Sequence, residues 1–184
     1  MSEKAIEFCE DILKRVSRSF ALTIPMLDDK IYKEVMITYL QDRLLDNFED
    51  EVKDISFKER TYLMDKVEEI FDPVNDNKEA VKIVEEKAEL FENEDLKELT
   101  ANASLLKEAY DLLDEEVKEI SYKWLKEMNK GMQKYLEKKV NKFEELDEYC
   151  YYVAGTVGGF LTDLIIERSN ITEGKAQILK DNFV

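Results

Sequence analysis

A run of acidic residues around position 46 has residue types and a spacing that suit metal chemistry. Asp42, Asp46, Glu49 and Asp50 recur at steps of three and four, so on a helix their carboxylates lie on one side. Carboxylates at that spacing repel by about 0.2–0.5 kcal/mol per pair on an exposed helix, and a bridging divalent cation reverses the sign. Oxygen ligands suit Mg²⁺, which often binds through one or two carboxylates and substrate phosphates. The spacing therefore indicates a magnesium site, with a solvated acidic face as the alternative.

The rest of this predicted helix indicates burial on two sides. Val35 and Tyr39 lie on the acidic side, and Arg43 lies among the acids. The opposite side is apolar, with Ile37, Leu40, Leu44 and Phe48. Apolar residues on both flanks are typical of a helix that packs on one side and lines a cavity on the other.

Two further segments have a structural and a functional interpretation. Three of the five glycines, Gly155, Gly158 and Gly159, fall within an apolar stretch from Tyr149 to Leu161. Each costs about 1 kcal/mol relative to alanine within a helix. Such small residues either let two helices approach closely or leave room for a long apolar ligand. The stretch 17–21, Ser-Arg-Ser-Phe-Ala, taken alone is a helix end with a cation suited to its dipole.

Composition excludes several classes of function. Lysine and arginine number 27 and aspartate and glutamate 43, a net charge of −16, which disfavours binding to nucleic acid or to an anionic bilayer. The chain has no histidine, so Ser-His catalysis and His-ligated zinc are excluded. The longest uncharged run has 14 residues, from Tyr149 to Thr162, and predicts no transmembrane segment. Cys9 and Cys150 match no metal-ligand spacing, and we expect reduced thiols in a cytoplasmic protein.

Hydrophobic periodicity predicts a succession of helices, and the fold class is all-α. No linker or internal repeat divides the chain, so we expect one helical domain over residues 1–184. The predicted helices cover about 3–16, 28–50, 56–71, 77–90, 95–113, 114–140, 144–166 and a tail from 172.

Together these segments resemble the squalene/phytoene synthase family of head-to-head prenyltransferases. Residues 17–21 are similar to the family's S-[RK]-S-F segment, and residues 39–50 to its Y-x-x-x-R-x-x-D-x-x-x-D helix. Gly131-Met132 resembles its G-M segment. Residues 149–158, Y-C-Y-Y-V-A-G-T-V-G, resemble its Y-C-x-x-V-A-G-x-V-G segment.

The resemblance implies an isoprenoid-synthase-type helical bundle around a central apolar cavity. It implies Mg²⁺ at Asp46 and Asp50, condensation of two prenyl diphosphates (farnesyl or geranylgeranyl), and a squalene-, phytoene- or dehydrosqualene-type product of isoprenoid biosynthesis. It assigns catalytic roles to Tyr149 and Arg43. The substrate-binding positions that it implies are Ser17, Arg18, Phe20, Ala154, Val157 and Gly158. The prenyl chain length and the use of NADPH stay open.

The family's second D-x-x-x-D motif does not appear before the last residue, Val184. We therefore expect the chain to be the N-terminal part of such an enzyme, inactive without the missing C-terminal part. We also expect it to bind a C-terminal partner subunit or to self-associate. The alternative is a non-catalytic helical scaffold, or a partner-binding subunit, derived from this family.

Overall fold

The computed structural model describes residues 2–169 and 171–182, which contain helices and no strand. The all-α prediction is therefore confirmed. Contacts divide the chain into two compact units, Met1–Lys118 and Glu119–Val184. That the two units form a single domain stays a prediction.

The first unit runs from the N-terminus into the first turn of a long helix. Its elements are α1 (Ser2–Val16), α2 (Phe20–Thr23), a 3₁₀ turn (Ile24–Met26), α3 (Asp29–Asp46), a π-helical segment (Asn47–Glu51), α4 (Phe57–Ile70), α5 (Lys78–Glu85), a second 3₁₀ turn (Ala88–Leu90), α6 (Glu94–Ala101), α7 (Ala103–Tyr110) and the start of α8 (Glu115–Tyr135).

The core of the first unit surrounds α3. This helix packs on α1, α4, α6 and α7, and its residues Met36, Leu40 and Leu44 are fully buried. Each such side chain contributes about 1.5–3 kcal/mol by leaving water. Val35, on the acidic side, is only 8% exposed. The predicted burial of this helix on two sides is therefore confirmed.

Local polar groups fix where several helices begin and end. The Ser56 hydroxyl accepts the backbone N–H of Glu59 at 3.1 Å and caps α4, an interaction worth about 1 kcal/mol. The predicted helix over 95–113 is in fact broken at Asn102, whose side-chain amide donates to the carbonyl of Glu98 at 2.9 Å. Asparagine side chains compete with the helical ladder in this way. α8 also ends at Tyr135, five residues before the predicted end.

The second unit contains the remainder of α8 and the segments that follow it. These are α9 (Phe143–Cys150), a π-helical segment (Tyr151–Gly155), α10 (Thr156–Arg168) and α11 (Glu173–Asp181). The π turn interrupts the predicted helix over 144–166 without ending it. The hydroxyl of Thr156 donates to the carbonyl of Tyr152 at 2.7 Å. Both cysteines are free, Cys9 fully buried in α1 and Cys150 exposed at the end of α9.

The continuous helix over Phe143–Arg168 is long and apolar enough to cross a membrane by length and composition. The 14-residue uncharged run alone predicts no transmembrane segment, but beyond Asp163 the apolar character continues through Leu164, Ile165 and Ile166. Of its most apolar window, 22% is buried. Core helices of soluble proteins, which are mostly buried, and signal sequences pass the same test, so one such helix is weak evidence for a membrane span. The cytoplasmic location stays a prediction.

Candidate metal centre

The acidic cluster lies where α3 passes into the first π-helical segment. Carboxylate oxygens of Asp46, Glu49 and Asp50 lie within 4.8 Å of one another. We call these three residues the acidic cluster. Asp46 is half-buried and Asp50 is exposed, so the cluster lies at the edge of the protein surface. π-helical turns inside α-helices are rare and occur often at functional sites. The predicted convergence of Asp46 and Asp50 is present in the structure, and Glu49 joins them.

Arg43 is the cation that faces this cluster along the helix. Its Nη1 donates to Oδ2 of Asp46, and its Nη2 lies 3.9 Å from Oε1 of Glu51. Its Nε is buried and has no hydrogen-bond partner within residues 2–169 and 171–182. The Arg43 guanidinium thus lies among several carboxylates, and its Nε–H donor has no partner in the described residues. The local charge remains negative and favours a cation.

Burial and mutual repulsion both act on the carboxyls of α3. Burial first, and the negative charge of Asp46 second, raise the pKa of Asp42 to about 8. Burial also raises the pKa of Asp46; Arg43 opposes that rise, and Asp50 adds to it. A divalent cation at the acidic cluster would favour the charged forms and lower both pKa values.

The donor set fits Mg²⁺. Three carboxylates supply oxygen atoms only, which Mg²⁺ prefers, and Mg²⁺ keeps water on its remaining positions. Ligands at Mg–O distances of 2.0–2.1 Å lie at most about 4.2 Å apart across the ion. The carboxylate oxygens of the cluster lie within 4.8 Å of one another, so rotation of the side chains can bring them to one ion. Asp46 and Asp50 would therefore hold the ion, with Glu49, which the sequence places on the same side of the helix, as a third ligand.

The stretch 17–20 lies in the same unit and reaches α3. The ring of Phe20 lies 5.2 Å from the ring of Tyr39, one turn before Arg43. Phe20 and Arg18 are exposed, whereas Ser17 is buried, with no partner for its hydroxyl in the described part of the chain. The fold thus brings this segment against the helix that carries the acidic cluster. The ligand-binding roles of the three residues stay predictions.

Tyr149 belongs to the second unit, near the end of α9. Its ring packs edge-on against Tyr135 with the centroids 5.3 Å apart. The hydroxyl of Tyr135 donates to Glu148 at 2.5 Å, and Lys134 pairs with the same carboxylate. Burial first, and Glu148 second, raise the pKa of Tyr135 to about 12. These contacts fix Tyr149 against the end of α8, and its catalytic role stays a prediction.

The sequence left two interpretations of the glycines in the second unit, namely close packing of helices and space for an apolar ligand. A Cβ at Gly159 would lie 2.3 Å from the ring of Trp124, and one at Gly131 would lie 1.9 Å from Tyr152. Both glycines therefore serve close packing, in which α8 contacts the following helices without an intervening side chain. Ala154 is exposed, and Val157 and Gly158 are half-buried. Their predicted place along a prenyl tunnel is compatible with this exposure and stays a prediction.

Two polar side chains next to the acidic cluster, one buried and one half-buried, have no simple sequence signal. Asn47 is fully buried, and neither atom of its amide has a partner among the described residues. Arg60 of α4 donates to backbone carbonyls of the first π-helical segment. Neither an amide without partners nor a guanidinium that binds carbonyls leaves a charge pattern in the sequence, so sequence reasoning missed both.

Comparison with known proteins identifies the relatives of this fold. The family model for squalene/phytoene synthase matches residues 13–179. The chain belongs to the squalene/phytoene synthase family. Its relatives include squalene synthase 10 of Panax ginseng, 34% identical over 89% of this chain, and squalene synthase BSS of Botryococcus braunii, 31% identical over 86%. The human squalene synthase is 30% identical over 84% of this chain.

Solved structures of the family confirm the fold. A structure of TcSQS with the ligand BPH1237 superposes with a TM-score of 0.80 and 28% identity, over 96% of this chain. TcSQS with the ligand E5700 gives a TM-score of 0.76. The chain covers 48% of the first solved chain and 32–36% of the three relatives named above. It therefore spans about a third of the length of those relatives.

Proposed function

We propose that this chain carries the first magnesium site of a head-to-head prenyltransferase of isoprenoid biosynthesis. The observation that carries the proposal is the acidic cluster beside Arg43, in a chain that matches the squalene/phytoene synthase family over residues 13–179. Family membership supports prenyl diphosphates as substrates, with farnesyl and geranylgeranyl diphosphate as the candidates. A scaffold would have no need for three converging carboxylates and a buried guanidinium donor.

The side chains of the first unit suit a diphosphate group. Bound Mg²⁺ would supply Lewis-acid neutralisation of the leaving group. Arg43 presents a forked guanidinium whose Nε has no partner in the described structure, and such forks match phosphate oxygens. Arg18 is exposed in the segment beside α3 and is free to turn toward the same group. The two arginines would hold the diphosphate while the carboxylates orient its cation.

The proposed reaction needs charge separation protected from water. Loss of diphosphate from one substrate leaves an allylic cation, which the double bond of the second substrate attacks; loss of a proton then closes the ring of a cyclopropylcarbinyl diphosphate. Loss of the second diphosphate and rearrangement lead to a linear C30 or C40 hydrocarbon, after the final cation either accepts a hydride from NADPH or loses a proton. Tyr149 is assigned a place near the reacting carbons, and Ala154, Val157 and Gly158 a place along the prenyl chain. Exclusion of water by these side chains protects the cation.

The proposal includes a further helical layer beyond these 184 residues. Large apolar side chains of the second unit are exposed, with Phe143 82%, Ile165 45% and Ile178 64% accessible. Large apolar side chains with this exposure suit contact with a further element. A C-terminal helical portion, in the same or a separate polypeptide, would cover these side chains and form the remaining wall of the proposed cavity. In the alternative, self-association, a second copy of the chain would cover them. Sedimentation velocity of the 184-residue chain separates the two, because self-association gives a concentration-dependent sedimentation coefficient.

Titration calorimetry tests the metal site directly. The chain is titrated with Mg²⁺ in the presence and absence of farnesyl thiodiphosphate, a substrate analogue that ionises slowly. We expect weak binding of Mg²⁺ alone and tighter binding with the analogue, because phosphate oxygens complete the coordination. The variant Asp46→Asn/Asp50→Asn should lose both heats.

A matched control removes two carboxylates of equal spacing elsewhere. Glu3 and Glu7 are exposed on α1 at the same spacing of four, so Glu3→Gln/Glu7→Gln should bind as the unmodified chain does. Equal heats for the unmodified chain and for the Asp46/Asp50 variant would reject the site and leave the scaffold interpretation.

A further inference from the structure

Arg60 makes an unusual set of contacts with the backbone next to the acidic cluster. Its Nη1 donates to the carbonyls of Phe48 at 2.9 Å and Glu49 at 2.5 Å, and its Nη2 donates to the carbonyl of Val52 at 2.5 Å. The residue lies in the first turns of α4, where its own N–H is bound by the Ser56 carbonyl at 2.9 Å. One guanidinium on a neighbouring helix thus binds three carbonyls at the end of the π-helical segment.

The end of α3 needs such a cation. The last carbonyls of a helix have no partner within the helix and give its C-terminus a partial negative charge. Asp46, Glu49 and Asp50 add carboxylates at this same end, where anions are unfavourable. Arg43 pairs with side chains there, whereas Arg60 binds the backbone.

The connection to α4 is short and has little freedom to adjust. Val52 is buried in an extended conformation, and Asp54 has a φ of +59°, in the left-handed region. Non-glycine residues adopt that region uncommonly, although aspartate does so more often than most. The backbone that carries Glu49 and Asp50 is therefore held from both sides, by the tight connection and by Arg60.

We propose that Arg60 is a positioning residue for the acidic cluster. Its three hydrogen bonds hold the π-helical segment in the form that brings the carboxylates of Asp46, Glu49 and Asp50 together before a cation arrives. Arg60 itself does not touch the ion. The inference rests on the proposed metal site, yet the hold on the backbone exists in the metal-free chain and is measurable there.

The test compares five forms of the full 184-residue chain: unmodified, Arg60→Gln, Arg60→Lys, Asp46→Asn/Asp50→Asn, and Arg15→Gln as the matched control. Arg15 is a guanidinium of the same unit whose partners, Asp11, Asp95 and Glu98, lie away from the cluster. Three quantities are measured. They are amide hydrogen exchange over residues 47–52 without metal, Mn²⁺ affinity from the electron paramagnetic resonance signal of the free ion, and the number of waters on bound Mn²⁺ from proton relaxation.

Arg60→Gln should weaken Mn²⁺ binding by about tenfold, the usual effect of removing a group that orients metal ligands. It should also speed exchange over residues 47–52 and raise the water count on the bound ion, as a carboxylate is lost from it. Arg15→Gln should leave all three unchanged. Arg60→Lys should give values between those of the unmodified chain and Arg60→Gln in all three measurements, because one ammonium group cannot bind three carbonyls as a forked guanidinium does.

The outcomes separate this inference from the proposed function. Absence of Mn²⁺ binding to the unmodified chain rejects the metal site, and exchange over residues 47–52 then still tests Arg60. Unchanged exchange in Arg60→Gln overturns the inference, as does Mn²⁺ affinity within twofold of the unmodified chain. If Arg60→Gln does not fold, Arg60→Lys is judged by the same two criteria.

Discussion

Replacing Gly159 by alanine tests how closely α8 and α10 pack. The new Cβ would lie 2.3 Å from Cη2 and 2.4 Å from Cζ2 of Trp124. Carbon atoms in contact prefer separations of about 3.5–4.0 Å, so the indole or the helix must move by more than an ångström. The indole N–H donates to Asp163 at 2.9 Å, and Lys123 pairs with the same oxygen at 2.8 Å. A displaced ring therefore also loses a hydrogen bond to a charged acceptor.

The magnitude follows from three opposing terms. Overpacking costs about 1–3 kcal/mol, and loss of the indole hydrogen bond costs about 1–3 kcal/mol. Alanine regains about 1 kcal/mol over glycine within a helix. We expect Gly159→Ala to lower the free energy of unfolding by about 1–5 kcal/mol, or about 2–4 °C in Tm per kcal/mol for a chain of this size.

Urea unfolding, followed by circular dichroism and by the fluorescence of the single tryptophan, measures this loss. Gly174→Ala is the matched control, because a Cβ there meets nothing within 4 Å, and it should leave stability unchanged or slightly raised. The cost of Gly159→Ala should largely disappear in a Trp124→Leu background. A variant as stable as the unmodified chain, or a cost that persists without the indole, would refute the close packing of Gly159.

The remaining predictions concern single side chains. In the folded chain the pKa of Asp42 is raised from 3.8 to about 8. Between these two values the folded chain holds a proton on Asp42 that the unfolded chain releases. Without metal, stability should therefore fall by up to about 1.4 kcal/mol per unit as pH rises from about 5 to 7; urea unfolding of Asp42→Asn should lack this slope. Asp54→Gly should have a free energy of unfolding about 1 kcal/mol higher than Asp54→Ala, because φ is +59° at this position and glycine adopts that conformation without strain. Equal urea midpoints for the two variants would contradict this. Tyr135→Phe should lower the free energy of unfolding by about 1.5 kcal/mol, because it removes the hydrogen bond to Glu148. An unchanged Tm would show that Lys134 satisfies that carboxylate alone.

Periodicity was sufficient to predict the order and extent of most helices. It failed at Asn102, where a side-chain amide binds the carbonyl of Glu98 and ends α6, because apolar spacing continues unbroken through the turn. It also failed to reveal the π turns at 47–51 and 151–155. A π turn changes which backbone groups pair, and the pattern of apolar residues carries little record of that.

The candidate site was predictable where it depends on side-chain spacing. Asp46 and Asp50 lie four residues apart on one helix, so their convergence follows from helical geometry. Arg60 was not predictable, because it binds carbonyls, which every residue has. The glycines could not be divided by sequence either. Only the position of Trp124 shows that Gly159 serves packing, while the place of Gly158 along a tunnel stays a prediction.

The unequal exposure of the two cysteines makes thiol labelling a measure of how often the core around α1 opens. Cys150 is exposed one residue after Tyr149, whereas Cys9 is fully buried and burial raises its pKa to about 12. A maleimide should therefore modify Cys150 at once and Cys9 only when α1 leaves the core, since the thiolate is the reactive form. The fraction of chains that carry a second label, read from the mass, thus reports how fast the first unit opens under native conditions. Ligands that stabilise that unit should slow the arrival of the second label.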